Sequence, residues 1–216
     1  MVIGLLTIVS IPTIIGTSEA VSEQRKQNDQ AKRSEKFNVA AACDVNHVRA
    51  KEEVDGRFVV LRDGKVTVYL SYPGDSFFLY LDHAPGGSER KSGHPFCGYY
   101  FQYPGADFEG LVSTISDDPP MLNWIFIDRD TRELKYGNRT QSLPNIAGPW
   151  NWTEDEKWLT LEDQEAFVAV EEEEGIWAVY YDKEGDLSGL PEKGKILDVQ
   201  LERKLLCGVE SKRIRV

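Results

Sequence analysis

Residues 122–171 read LNWIFIDRDTRELKYGNRTQSLPNIAGPWNWTEDEKWLTLEDQEAFVAVE, and they set the architecture expected for the whole chain. An apolar run at 124–127 meets a polar turn at 128–131 and returns at 133–136. Gly137-Asn138 breaks the pattern, Gly148-Pro149-Trp150 turns the chain again, and strand-like runs follow at 158–161 and 166–170. Short runs of β-branched and aromatic residues bounded by Gly, Pro, Asn and Asp are the mark of strands joined by turns. The stretch also holds four of the five tryptophans, so the expected meander has an aromatic interior.

The same pattern extends to both sides. Upstream, the strands expected are 37–43, 57–61, 65–70, 77–81, 98–103 and 109–116. Arg62-Asp63-Gly64 between two of them predicts a hairpin, because Asp-Gly suits the positive φ angles of a two-residue turn. Downstream, strands are expected at 176–181 and 195–206. Thr153–Glu156 could cap one helical turn. The fold class expected is therefore mainly β, an antiparallel sandwich or barrel of about ten short strands. A trefoil arrangement is a further option, although no clean threefold repeat shows in the residues.

The amino-terminal part differs. Val2–Gly16, VIGLLTIVSIPTIIG, is the most apolar run, and three roles fit it: signal segment, short membrane anchor, or docking segment of the fold. As a helix it would span roughly 22 Å, short of the ~30 Å hydrocarbon core. Residues 17–36 lack Pro and Gly and are polar all round, which predicts an exposed helical linker. The division expected is thus 1–16 apolar segment, 17–36 charged linker, 37–207 single β-rich domain and 208–216 tail.

Charge restricts the partners. The net charge is −11, and residues 1–36 carry five basic and four acidic groups, so the remainder carries −12. A body this acidic is unsuited to nucleic acid, whose phosphates require clustered Lys and Arg. The three cysteines, Cys43, Cys97 and Cys207, are widely spaced and odd in number, with no CxxC. That fits a reducing compartment better than a disulfide-stapled secreted domain. The location expected is cytoplasmic, with membrane contact through Val2–Gly16 as a variant and secretion after cleavage at Ala20 as the alternative.

Few residues suggest chemistry. His83, His94 and Cys97 lie in or beside the irregular stretch 82–96, and Cys with His is a nucleophile–base pair in some enzymes. No third group accompanies them, and their spacing matches no metal signature, so no metal and no cofactor are expected. The segment 182–193 has alternating oxygens but Leu187 and Lys193 where a calcium loop needs Gly and Glu, which makes it a turn. Trp150, Trp152 and Trp158 lie on or beside a turn, where rings can stack on a ligand or fill the core. Asn138-Arg139-Thr140 and Asn151-Trp152-Thr153 are glycosylation sequons, relevant to a secreted chain.

Several phrases, NWIFIDRDTRELKYGNRT, GPWNWTEDE and FVAVEEEEGIWAVYYDKEGD, together with HPFCGYYFQYP and GLVSTISDDPPMLNW, resemble a family of short filamentous-fungal proteins. The resemblance covers most of residues 37–206 and implies a shared β-rich domain. It brings no activity, cofactor or catalytic residue with it. The function expected is a non-enzymatic binding or protein-interaction module for an unidentified protein or small-molecule ligand. The alternatives are a small enzyme or biosynthetic accessory protein using His83, His94 and Cys97, and a secreted glycosylated binding protein.

Overall fold

The computed structural model describes residues 11–43, 52–62, 64–69, 94–117, 120–173, 175–191 and 194–206. Residues 2–10 of the apolar run, the strand expected at 77–81, His83, Cys207 and the tail 208–216 lie outside the described residues. The chain forms two compact units, residues 1–35 and 36–216. In the first, α1 (Ile11–Arg33) begins inside the apolar run, earlier than the expected start at 17. Residues 21–32 are exposed along its length, as their polar composition requires. No described helix is long and apolar enough to cross a membrane.

The second unit is mainly β. Its strands are β1 (Phe37–Ala42), β2 (Val59–Arg62), β3 (Lys65–Tyr69), β4 (His94–Pro95), β5 (Gly98–Gln102), β6 (Glu109–Asp117) and β7 (Pro120–Ile127). They are followed by β8 (Leu134–Gly137), β9 (Trp150–Trp152), β10 (Leu159–Leu161), β11 (Phe167–Glu173), β12 (Ile176–Tyr181) and β13 (Ile196–Leu205). Nine of them close into a ring in the order β12, β11, β13, β1, β5, β6, β7, β8, β3, with β3 pairing back to β12. β2 and β4 extend from β3, and β9 pairs with β10 as a separate ribbon. All these pairings are antiparallel. Of the two architectures expected, the barrel is the one formed.

A ring of straight antiparallel strands must have an even number of members, because neighbours alternate in direction. Nine strands close only if some bend out of the barrel wall. The bends have visible causes: bulges shift the register between Thr114 and Ser116 in β6 and between Glu171 and Glu173 in β11. A bulge bends and twists its strand. Three hairpins, β2–β3, β6–β7 and β11–β12, recur along the chain and begin at Val59, Glu109 and Phe167.

Local chemistry explains the pieces. In β2–β3 Arg62 pairs with Lys65, leaving a two-residue turn in which Gly64 has φ +84°. In β13 Leu197, Val199, Leu201 and Arg203 are buried, while Asp198 and Gln200 are exposed, the period of two expected for a half-buried strand. The core holds Phe37, Trp150, Phe167 and Trp177, all essentially inaccessible, with Leu111, Ile125, Leu159 and Leu201 between them.

Several local expectations need correction. Residues 153–156 form a turn rather than a helical one, with the Thr153 hydroxyl bonded to Asp155. A single helical turn, α2 (Arg139–Ser142), forms instead where Asn138 and Gln141 make a reciprocal capping box. Trp150–Trp152, expected as a turn, is a strand. The end of the irregular stretch is ordered: β4 pairs with β2, and Phe96 is buried in the core.

Candidate binding face

The residues singled out from the sequence are dispersed. His94 is half-buried in β4 with Nδ1 2.8 Å from the Pro95 carbonyl. Cys97 is half-buried; its N–H donates to Ser113 Oγ at 3.0 Å, and its carbonyl accepts from the Thr114 hydroxyl at 3.3 Å. Among the described residues no group of three or more His, Cys, Asp and Glu side chains could hold a metal. Trp150 is buried and stacks on Phe167, ring centroids 6.0 Å apart and nearly parallel at 7°. Trp152 packs edge-on to Tyr100 at 4.9 Å and lies under the Arg203 guanidinium at 4.4 Å. Trp158 carries Lys157 Nζ 4.2 Å above its ring. Asn138 caps α2, and the Asn151 carbonyl accepts from the Tyr100 hydroxyl at 3.0 Å. Trp150 is thus part of the interior, while Trp152 and Trp158 are half-buried under cations of their own chain.

Among the described residues the barrel interior is apolar. The space at its centre is bounded by Val39, Leu111, Ile125, Trp150, Leu159 and Leu201, with no polar side chain turned in to orient a guest.

One outer face stands apart. Side chains alternate along a strand, so Tyr100, Leu111 and Ile125 point inward and their neighbours outward. The registers place Tyr99 opposite Val112, Val112 opposite Trp124, Phe101 opposite Gly110 and Leu122 opposite Thr114. The outward side of β5–β6–β7 is therefore Tyr99, Phe101, Val112, Leu122 and Trp124. Phe101 is 51% exposed and Leu122 49%. Tyr99 meets Phe101 edge-on at 6.3 Å, and Phe101 lies 6.2 Å from Trp124. Trp124 meets Tyr103 at 4.8 Å, and Tyr103 stacks on Phe108 at 5.3 Å.

Five rings thus form a continuous row. One end is covered, because residues 103–108 fold back so that Tyr103, Ala106 and Phe108 close over Phe126 and Ala147. Tyr103 is fixed there by a 2.8 Å hydrogen bond with Ser142 of α2. The other end, Tyr99–Phe101–Leu122, is open. Gly110 makes the row possible: a Cβ there would sit 2.7 Å from Cζ3 of Trp124, so only glycine lets the indole lie across β6. Burial raises the Tyr99 hydroxyl above its ordinary pKa, so this face is uncharged at neutral pH.

The strongest electrostatic cluster lies elsewhere and serves the fold. Lys65 Nζ bonds Glu133 at 2.8 Å and Glu172 at 2.7 Å, and Lys135 bonds Asp128 and Glu133, each at 2.9 Å. The Tyr180 hydroxyl donates to Glu172 at 2.6 Å and Glu133 at 3.1 Å. Burial works against the Asp128 carboxylate, but Lys135 and two backbone N–H groups outweigh it and hold its pKa at about 2. Three carboxylates share two ammonium groups within the cluster, which joins β3, β8, β11 and β12 where the ring closes.

The aromatic face was hidden in a feature the residues do display. GYYFQY and LNWIF are apolar at consecutive positions, so both sides of β5 and β7 carry large side chains. In an antiparallel sheet one side normally faces water and is polar.

The family model of the fungal beta-trefoil domain matches residues 16–207. No curated protein and no solved structure matches the chain.

Proposed function

The chain belongs to the fungal beta-trefoil domain family, and we propose on that premise that it is a non-enzymatic binding module whose contact surface is the outer face of β5–β6–β7. The observation that carries this reading is the row Tyr99–Phe101–Trp124 with Leu122, ordered by Gly110 and left open at one end. Exposed aromatics grouped on a rigid sheet resemble the anchors that dominate binding energy at interfaces. A β scaffold holds such side chains in fixed rotamers, so little order is lost on binding. The enzymatic reading has less support, because no group of three or more His, Cys, Asp and Glu side chains that could hold a metal forms around His94 and Cys97 among the described residues.

The test is affinity capture from a native fungal extract with the full chain, comparing wild type with the double variant Phe101→Ser, Leu122→Ser. Leu205→Ser, an equally exposed leucine at the end of β13, serves as control. Partners retained by wild type and the control but lost from the double variant are expected. An identical set on all three would place binding elsewhere.

A further inference from the structure

We infer that the partner of this face is a basic, amphipathic polypeptide segment, lysine- or arginine-bearing, whose large apolar side chains rest on Phe101 and Leu122. The inference depends on the binding reading above and goes further by naming the chemistry of the occupant. Residues 94–127, which form β4–β7, contain Asp107, Glu109, Asp117 and Asp118 but no lysine or arginine. At the chain's average of 25 basic residues in 216, a stretch of this length would hold about four. The strands that carry the rings thus have acidic residues and no lysine or arginine in their own sequence.

Elsewhere the protein covers its aromatic rings with its own cations. Lys157 lies over Trp158, Arg203 over Trp152 and Phe37, and Lys195 5.9 Å from Trp177. Among the described residues none of these cations lies over Tyr99, Phe101 or Trp124. Two basic groups on adjoining elements are engaged: Arg139 donates to the Pro104 carbonyl at 3.0 Å, and Lys135 is bound by Asp128 and Glu133. An open ring face attracts a cation through its quadrupole, and surrounding carboxylates add to that attraction.

The same charges argue against other occupants. A second copy would bring two acidic stretches together, and anionic lipid or nucleic acid would be repelled by a body carrying −12. β6 is paired on both sides, whereas β5 meets β1 at the single pair Phe37–Gly98 and β7 meets β8 only over Trp124–Ile127. The occupant inferred here lies on the face through its side chains, as an amphipathic helix does.

The experiment uses the full chain and a dye-labelled helical peptide of leucine and lysine, followed by fluorescence anisotropy. Matched peptides carry glutamine or glutamate in place of lysine. The lysine peptide is expected to bind, and to weaken about tenfold between roughly 50 and 300 mM salt as the charges are screened. Phe101→Ser and Leu122→Ser are each expected to weaken it about tenfold, and Asp107→Asn, an exposed carboxylate on the adjoining turn, by a smaller factor. Circular dichroism and urea midpoints confirm that the variants fold. Equal binding of the glutamine peptide, still lost in Phe101→Ser, would overturn the cationic partner while leaving the face as a binding surface. Lysine-peptide binding unchanged by both serine variants would show general attraction to an acidic body and overturn the inference. Absence of binding by the lysine peptide would do so as well, with the capture experiment then judging the face separately.

Discussion

Replacing Glu133 by glutamine tests how the ring is closed. β3 meets β8 through one pair, Lys65 opposite Lys135. Two like charges directly across a ladder repel each other. Glu133 converts that contact into an attraction, since Oε1 takes Lys65 Nζ at 2.8 Å and Oε2 takes Lys135 Nζ at 2.9 Å. Its side chain is only 12% exposed, so water screens these bonds weakly. Glutamine keeps the shape, loses the charge and turns an amide N–H₂ towards an ammonium. A charge-assisted hydrogen bond contributes about 1.5–3 kcal/mol, and two are affected. Each donor retains a second acceptor, Glu172 for Lys65 and Tyr180, Asp128 for Lys135. The loss should therefore stay below the ~3–5 kcal/mol of a wholly orphaned buried charge, at about 2–3 kcal/mol. Urea unfolding followed by tryptophan fluorescence should show a midpoint lowered by about 1 M, given a slope of about 2–3 kcal/mol/M. Glu172→Gln, at a more exposed carboxylate, should lose about 1 kcal/mol or less. A Glu133→Gln loss below about 0.5 kcal/mol, or one no larger than that of Glu172→Gln, would refute the view that Glu133 holds the seam.

Three further outcomes follow from other parts of the molecule. Gly110→Ala should destabilise by about 1–3 kcal/mol, because overpacking against Trp124 outweighs the entropy gained from losing a glycine, and differential scanning calorimetry should show it; a stabilised variant would mean the indole moves freely. In acid, Asp128 and Glu133 have depressed pKa values, burial being outweighed by hydrogen bonds from the lysines, so their contribution is present above about pH 4.5 and lost as the pH falls towards 2. Unfolding free energies measured across that window should decline, and less steeply in Asp128→Asn. In alkali the sign reverses in position: burial raises Tyr181 to about 12 and Tyr180 also upward, so stability present below pH 10 should fall as pH rises towards 12, with phenolate absorbance appearing together with unfolding rather than before it.

How much of this was legible depended on whether the information was local. The Asp63-Gly64 hairpin and the alternation of β13 are dictated by residues within each element, and both were readable. The cap of α2 was also available, as an asparagine followed three residues later by a glutamine, and was missed because a single turn has no hydrophobic period. Trp150 shows the opposite case: next to Gly148-Pro149 it suggests a turn, but pairing with Leu161 and stacking on Phe167 make it a core strand. The closure of the ring was unreadable for a geometric reason. The pairs that complete it, such as Phe37 with Gly98, Lys65 with Lys135 and Trp177 with Val68, join residues far apart in the chain, and only long-range pairing defines them.

The way the chain covers its apolar faces bears on why the proposed surface falls on one hairpin. Among the described residues the space at the centre of the ring is lined by apolar side chains, which leaves the outward faces and turns as the surfaces on which the proposed recognition rests. The β11–β12 hairpin has an apolar outer side too, formed by Val168, Val170, Ala178 and Tyr180. There Leu190 and Ile196 from the segment leading into β13 close over it, and all four residues are buried. Among the described residues the β6–β7 hairpin receives a partial cover, the 103–108 turn, which reaches Phe126 and Trp124 but stops short of Phe101 and Leu122. Equivalent apolar faces thus have different fates according to the length of the connection that follows or precedes them. Where the chain covers the face, the apolar area contributes to stability; where it stops, the same kind of area remains available to a partner.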